Sequence, residues 1–217
     1  MMHYREWLDG VRYTDDLDGG GRSLAPVFHS ALEGRKFKRC FEWCAGPAWI
    51  GLWLLENGVC EELVTGDINP AAVEMVNLTI AATGANVIAI LSDNMDKVDG
   101  KFDLVVGNPP NYCNIQSSHL FGHLRNDLRP SDVEWNIHRD FYANIREHLA
   151  DGAELWVSEV EPFQAEVHIL GQMYDKRPQL PIVEFMDMMA IGGLRLEKVL
   201  PFNLDTVQMA LLKSRVI

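Results

Sequence analysis

Cysteine is sparse. Cys40, Cys44, Cys60 and Cys113 are the only four among 217 residues, and no two of them form a C-x-x-C pair. No histidine cluster lies at metal-ligand spacing either, so no metal centre is expected. Cys40 and Cys44 fall in or beside an apolar strand and read as small buried hydrophobes. Long apolar runs are missing too. Nothing approaches the roughly eighteen consecutive apolar residues of a membrane span. The opening Met1-Met2-His3-Tyr4-Arg5-Glu6-Trp7 lacks the basic and apolar blocks of a secretory leader. The expected location is the cytoplasm, with no membrane partner. Positive charge is the third shortage. Lysine and arginine total 19 against 31 aspartates and glutamates, a formal net charge of −12. Proteins that hold nucleic acid alone gather Lys and Arg to neutralise phosphates, so free nucleic acid is disfavoured as a partner. The one basic cluster, Arg35-Lys36-Lys38-Arg39, reads as a solvated turn. Internal repeats and low-complexity segments are absent.

What remains is an ordinary globular composition, 47% hydrophobic and 23% charged, in a chain long enough for one domain with a full core. Helix and strand patterns alternate, which implies an α/β fold with a mostly parallel sheet. Strands are expected near 39–43, 62–65, 86–91, 102–106, 153–159, 195–200 and 206–213. The last two are close in sequence and predict an antiparallel pair at the sheet edge. Helices are expected near 25–32, 48–56 and 69–82. The third opens on Asn69-Pro70, a cap followed by a first-turn proline. A long helix from Ser131 or Asp132 to about 149 would stop at Asp151-Gly152. The segment 162–193 reads as two helical pieces broken by Pro178 and Pro181.

Polar groups recur where these strands end. Glu42 precedes a loop of small residues, Cys44-Ala45-Gly46-Pro47-Ala48, where a ligand can approach the backbone closely. The loop does not spell the dinucleotide fingerprint, and an acid there suits a cationic amine better than a pyrophosphate. Asp67 closes the second strand, where a carboxylate can accept both hydroxyls of a ribose. Asp93 closes the third. The fourth ends in Asn108-Pro109-Pro110-Asn111, a rigid corner holding one carboxamide. The Asn108 side-chain oxygen and the Pro109 carbonyl can each accept one N–H of an NH2 group. Those bonds favour a pyramidal nitrogen with its lone pair aimed at an electrophile.

These motifs, in this order and spacing, resemble the class I S-adenosylmethionine-dependent methyltransferases of the Asn-Pro-Pro-aromatic branch. That branch includes the HemK-type glutamine methyltransferases and the amino-methyltransferases of adenine and guanine. The match runs from about 39 to 159. It implies a Rossmann-like, seven-stranded, mostly parallel sheet with an antiparallel edge strand and helices on both faces. It also implies S-adenosyl-L-methionine as cofactor. Residues 37–217 would be the methyltransferase domain and 1–36 a segment closing over the site. By the resemblance, Glu42 and the backbone of Cys44, Ala45, Gly46 and Ala48 face the methionine end of the cofactor. Asp67 holds its ribose, Ile68 packs on its adenine, and Asp93 accepts the adenine amino group with Asn94 beside it.

One departure stands out. Asn111 occupies the position where the family places an aromatic residue, and Tyr112 follows it. Either Tyr112 takes the stacking role or the target is not a stacked base. The expected reaction is therefore N-methyl transfer to an amide or amine of a protein glutamine or a small polar molecule. One alternative is a nucleobase amino-methyltransferase relying on a basic partner. Another is a non-catalytic, cofactor-binding subunit. The segment 112–130, with His119, His123, Arg125, Asn126 and Arg129, begins beside the corner and reads as a substrate-reading lid. Trp135 and His138 lie on the helix that follows, Trp135 as a core residue.

Overall fold

The architecture is that of a computed structural model describing residues 10–14, 17, 20–110, 132–160, 168–169, 172–173, 182–204 and 207–217. In chain order the elements are α1 (Gly21–Leu32), β1 (Phe37–Trp43), α2 (Trp49–Glu56), β2 (Cys60–Asp67), α3 (Pro70–Thr83), β3 (Val87–Leu91) and β4 (Phe102–Gly107). Then follow α4 (Asn136–Asn144), β5 (Leu149–Val160), the two-residue strands β6 (His168–Ile169) and β7 (Gln172–Met173), α5 (Ile182–Ile191), β8 (Leu194–Leu204) and β9 (Val207–Val216). Seven strands form one sheet in the order β3-β2-β1-β4-β5-β9-β8. β1 to β5 are parallel neighbours. β9 runs antiparallel between β5 and the edge strand β8. This is the expected doubly wound sheet with an antiparallel pair at its edge.

Strand alternation sends side chains to two cores. Cys40, Leu63, Leu104, Val106 and Trp156 meet Phe28 of α1, Trp49 and Leu54 of α2 and Val76 of α3. Phe41, Trp43, Val64, Val105, Leu155 and Val157 meet Phe141 and Tyr142 of α4 and Phe185 and Met189 of α5. Because β1, β2, β3 and β4 are parallel and in register, with Trp43 opposite both Gly66 and Gly107 and Asp67 opposite Leu91, their carboxyl ends form one rim. In open α/β sheets that rim is where ligands bind.

Elements in three places differ from expectation. β5 begins at Leu149 rather than near 153, and α4 stops at Asn144 before a 3-10 turn, Ile145–His148. Asp151-Gly152 is not a helix stop. Gly152, at φ +77°, lies in a bulge where the pairing passes from Phe102–Leu149 to Leu104–Glu154, as glycine in a strand often does. Second, α1 begins at Gly21, just after Gly20 at φ +94°. Third, His168–Ile169 pairs antiparallel with Gln172–Met173 where a helix was expected. Asp132 does act as a cap, across a short turn: its carboxylate accepts the N–H groups of Ile137 (2.9 Å) and His138 (3.0 Å). Among the described residues no helix is long and apolar enough to cross a membrane, and no cluster could hold a metal ion. Cys40 is buried, as expected of a small hydrophobe, whereas Cys44, expected to be buried too, is half-buried where it opens the loop; Cys60 is buried as well.

Candidate active site

The loop from Cys44 to Ala48 joins β1 to α2 through three left-handed residues, Cys44 (φ 51°), Gly46 (φ 52°) and Ala48 (φ 63°). Only Gly46 adopts this conformation without strain; each of the others costs about 1–2 kcal/mol. The loop is held in place by Asp67. One carboxylate oxygen accepts the N–H of Gly46 (2.7 Å) and the other that of Asn69 (2.8 Å). Burial raises the Asp67 pKa, partly offset by the N–H groups of Asn69, Gly46 and Ile68. Above the loop, a β-carbon on Gly46 would stand 3.0 Å from the Leu17 carbonyl oxygen, and one on Gly20 would stand 4.0 Å from Asn108 Nδ2. The N-terminal segment thus touches both the loop and the Asn108 corner.

Glu42 does not face the rim in the manner the resemblance implied. Its side chain is 2% exposed, and its oxygens accept the N–H groups of Ile50 (3.3 Å) and Gly51 (2.8 Å) at the start of α2. The reason is local. Gly51 has no β-carbon, so the carboxylate can lie against the first turn of α2 and meet its unpaired donors. Burial pushes the Glu42 pKa up to about 8, against the pull of those two N–H groups.

Asn94 departs similarly. Its Oδ1 accepts Trp43 Nε1–H (2.8 Å), while its Nδ2 donates to Ile137 O (3.2 Å) and Asp140 Oδ2 (2.7 Å). The side chain ties β1 to α4, and only its backbone remains for a ligand. Its neighbour Asp93 is exposed, and Ile68 is 43% exposed at the end of β2. A carboxylate and a flat apolar contact therefore remain on the rim where the sequence placed them.

At the end of β4, Asn108 is half-buried and Pro109 buried. Asn108 Oδ1 accepts the hydroxyl of Ser158 on β5 at 2.9 Å. Asn111, Tyr112 and the histidines and arginines of the expected lid lie outside the described residues. So do residues 15, 16, 18 and 19 of the segment expected to close over the site. Trp135 is a core residue, as expected, edge-on to Phe185 and His138.

Sequence reasoning missed a buried charged cluster beside the rim. His138 bonds Asp132 through Nδ1 (2.6 Å) and Glu159 through Nε2 (3.2 Å), and all three side chains are at most 1% exposed. Burial pulls the His138 pKa down, but the two carboxylates outweigh it and raise it to about 9. The imidazolium sits edge-on to Trp43, which itself stacks on Phe141 at 3.6 Å between centroids. The sequence singles out His138 for the same pocket and Asp132 as a cap, but nothing in it brings them to the acid that closes the fifth strand. The Cys44 thiol lies in the field of these groups. Burial raises its pKa, and Asp67, Asp132, Asp93 and Glu159 raise it further. The loop therefore sits in a negative field, which suits a cation.

Three members of the basic cluster, expected as a solvated turn, are bonded within the fold. Arg35 pairs with Glu154, Lys36 donates to Gly58 O, and Arg39 bonds Glu62 Oε1 (2.6 Å) and Asp99 O (3.1 Å).

Residues 7–123 match the methyltransferase small domain family. The chain is similar to ribosomal RNA small subunit methyltransferase C of Pectobacterium atrosepticum, 31% identical over 51% of this chain and 31% of that protein. It is also similar to the protein of that name from Actinobacillus pleuropneumoniae, 28% identical over 68% of this chain and 40% of that one. The chain thus spans about a third of the length of the curated relatives it matches. Among solved structures, a methyltransferase from Pyrococcus furiosus superposes with a TM-score of 0.64 over 95% of this chain and 89% of that one, at 15% identity. The glycopeptide N-methyltransferase MtfA complexed with S-adenosyl-L-methionine superposes with a TM-score of 0.60 over 100% and 98%, also at 15% identity. At that identity the likeness is one of fold. The chain belongs to the methyltransferase small domain family and has the class I methyltransferase fold.

Proposed function

We propose that this domain methylates the exocyclic amino group of a nucleic-acid base, in RNA. The observation that carries the reading is the Asn108 carboxamide. It is anchored at the carboxyl end of β4 by Ser158, beside a glycine loop in a negative field. The curated relatives, named for ribosomal RNA methylation, favour a nucleobase over a glutamine amide.

The rim fits the methyl donor. The left-handed loop keeps Cys44 and Gly46 half-buried at the rim, Ile68 and Asp93 remain exposed, and the surrounding acids favour a positive charge. Cys44 to Ala48 would hold its methionine end, Asp67 its ribose, Ile68 one face of its adenine and Asp93 the adenine amino group. S-adenosyl-L-methionine supplies an electrophilic methyl on a sulfonium. Everything else falls to the protein. Asn108 Oδ1 and the Pro109 carbonyl each accept one N–H of the target NH2, which pulls the nitrogen out of conjugation and aims its lone pair. Orientation of this kind contributes at best about 7–11 kcal/mol. As positive charge grows on the nitrogen, the two fixed acceptors stabilise it.

A second reading keeps the HemK-type kinship: transfer to a protein glutamine or a small polar amine. It is favoured by the net charge of −12 and by Asn111 in the aromatic position. The two separate in one experiment. Tritiated methyl from S-adenosylmethionine is offered with small-subunit ribosomal RNA, free and in assembled subunits, and in parallel with glutamine peptides. Label in a purified nucleoside supports the base reading, and label only in peptide overturns it. Asn108→Ala should abolish turnover and leave cofactor binding by calorimetry intact. Full turnover in that variant overturns both readings.

A further inference from the structure

The buried His138 ring has a carboxylate on each side. Asp132 accepts the backbone N–H groups of Ile137 (2.9 Å) and His138 (3.0 Å), so it is an acceptor. His138 Nδ1, 2.6 Å from it, therefore carries a proton. Nε2 faces Glu159 Oε1 at 3.2 Å. A neutral ring with its proton on Nδ1 would turn a lone pair toward that oxygen, whereas an imidazolium donates on both sides. We propose that His138, as an imidazolium, is the positioning residue that fastens the end of β5 to α4 and thereby holds the Asn108 corner, a role resting on the function proposed above.

Two routes lead from the ring to that corner. The first runs along β5. The register sets Gly107 opposite Val157, which brings Ser158 and Glu159 alongside the corner, and Ser158 bonds the Asn108 carboxamide at 2.9 Å. Glu159 Oε2 is buried with no partner among the described residues, so this carboxylate is held through His138. The second route runs through β1. Trp43 meets the ring edge-on at 5.4 Å and stacks on Phe141 of α4. A β-carbon on Gly107 would stand 3.0 Å from Trp43 Cε3, so the indole packs directly on the residue before Asn108. No other charge competes for the ring. α5 brings Phe185, its Glu184 and Asp187 being exposed. Burial keeps the Cys44 thiol beyond Trp43 and the Tyr142 hydroxyl on α4 uncharged, and Asp140 is bonded to Asn94 and Asn144. Burial pulls the His138 pKa down, but Glu159 and Asp132 hold it at about 9. The tie is therefore intact at neutral pH and lost as pH rises through that value, when two buried carboxylates flank a neutral ring.

The test uses the full chain, over the pH range in which circular dichroism shows the fold intact. In a long-range proton–nitrogen spectrum both His138 ring nitrogens should be protonated at neutral pH, and the ring should titrate near pH 9. The backbone amide signals of Asn108 and Ser158 should follow that titration, and should not in His138→Gln. With tritiated S-adenosylmethionine and ribosomal RNA, kcat should fall with the same midpoint while cofactor affinity by calorimetry stays unchanged. His138→Gln should lower kcat about tenfold, the weight of one hydrogen bond, and abolish the alkaline limb. Glu159→Gln keeps an oxygen for Nε2–H but removes the charge, so it should lower the midpoints of the ring and of kcat together, by about 1–3 pH units. A singly protonated ring at neutral pH, corner signals that ignore its titration, or midpoints that part in Glu159→Gln overturn the positioning role. No methyl transfer to RNA from a wild type whose corner signals do follow the ring overturns the proposed function and leaves the tie standing.

Discussion

Replacing Glu42 by Gln should make the protein more stable at alkaline pH. The carboxyl group is buried, meets two N–H groups at the start of α2, and has its pKa raised from 4.5 to about 8. A carboxyl whose folded pKa lies above its unfolded one contributes stability fully present below pH 4.5, lost as pH rises toward 8. At about 1.4 kcal/mol per pH unit the whole gap amounts to at most about 5 kcal/mol. About 3 kcal/mol of that falls between pH 5.5 and 8.5. Glutamine keeps an oxygen for the Gly51 N–H and carries no charge, so it removes this slope. His138 adds a loss of the same sign, since its pKa is raised from 6.5 to about 9. That loss persists in the variant and cancels in the comparison. Urea unfolding of both proteins at the two pH values gives the answer. The stability difference between them should shift by about 3 kcal/mol in favour of Glu42→Gln at the higher pH. Parallel pH dependences, within about 0.5 kcal/mol, would mean that Glu42 is solvated and ionised. The cofactor-facing role implied by the resemblance would then return. Calorimetry adds a second reading: with its oxygens on α2, Glu42→Gln should change S-adenosylmethionine affinity less than about threefold.

The other perturbations probe the frame and the loop. Glu154, 1% exposed, is bonded to Arg35, Arg215, Lys213 (2.9 Å) and Trp156 Nε1 (3.1 Å). Burial raises its pKa, but these donors together hold it well below the usual carboxylate range. Glu154→Gln should cost about 2–3 kcal/mol, less than a fully buried pair because Arg35 and Arg215 keep access to water. The wild type should lose that advantage as pH falls below 4.5; acid unfolding of both proteins checks the sign. Gly51→Ala would put a β-carbon 2.5 Å from Leu63 Cδ1 and 2.6 Å from Glu42 Oε2. Thermal melts should show a loss of about 1–3 kcal/mol.

Much of the sheet could be read from the sequence because each parallel strand is an apolar run ended by a polar residue. Asp67, Asp93 and Asn108 lie on the rim for that reason. Other features depend on contacts between elements. Glu42 and Asn94, which the resemblance places at the cofactor, turn their side chains to donors or acceptors contributed by another element. Glu42 could turn inward because residue 51 is glycine, and Asn94 was captured by a tryptophan 51 positions away. The Asp132–His138–Glu159 cluster is built from bonded pairs 6 and 21 positions apart, a spacing that matches no local pattern. Ser158 meets Asn108 only through strand register. Such pairings depend on which strands become neighbours, which periodicity alone does not specify. The basic cluster, expected as a solvated turn, instead spends Arg35, Lys36 and Arg39 on partners from other elements.

The same accounting constrains how an RNA acceptor could be held. Arg35, Arg39, Lys213 and Arg215 are paired with Glu154, Glu62 and Glu197 in the amino-terminal half of the sheet, away from the rim. The rim itself carries Asp67, Asp93, Asp132 and Glu159 around Cys44, one imidazolium only partly offsetting them. That field attracts a sulfonium and repels phosphates, and within about 8 Å at physiological ionic strength it is barely screened. Those four cations therefore do not steer a polyanion to the catalytic corner, and Arg22, two residues from Gly20, lies over Tyr13 and Trp49. A base presented to Asn108 must approach with its backbone turned away from the rim, as an extruded nucleotide does. Its phosphates must be held elsewhere: by the expected lid with Arg125 and Arg129, by a partner, or by the rigid particle that carries the RNA. Binding that depends on such remote contacts predicts that assembled subunits outperform free RNA as substrate. Equal turnover on both would place the phosphate contacts on this chain.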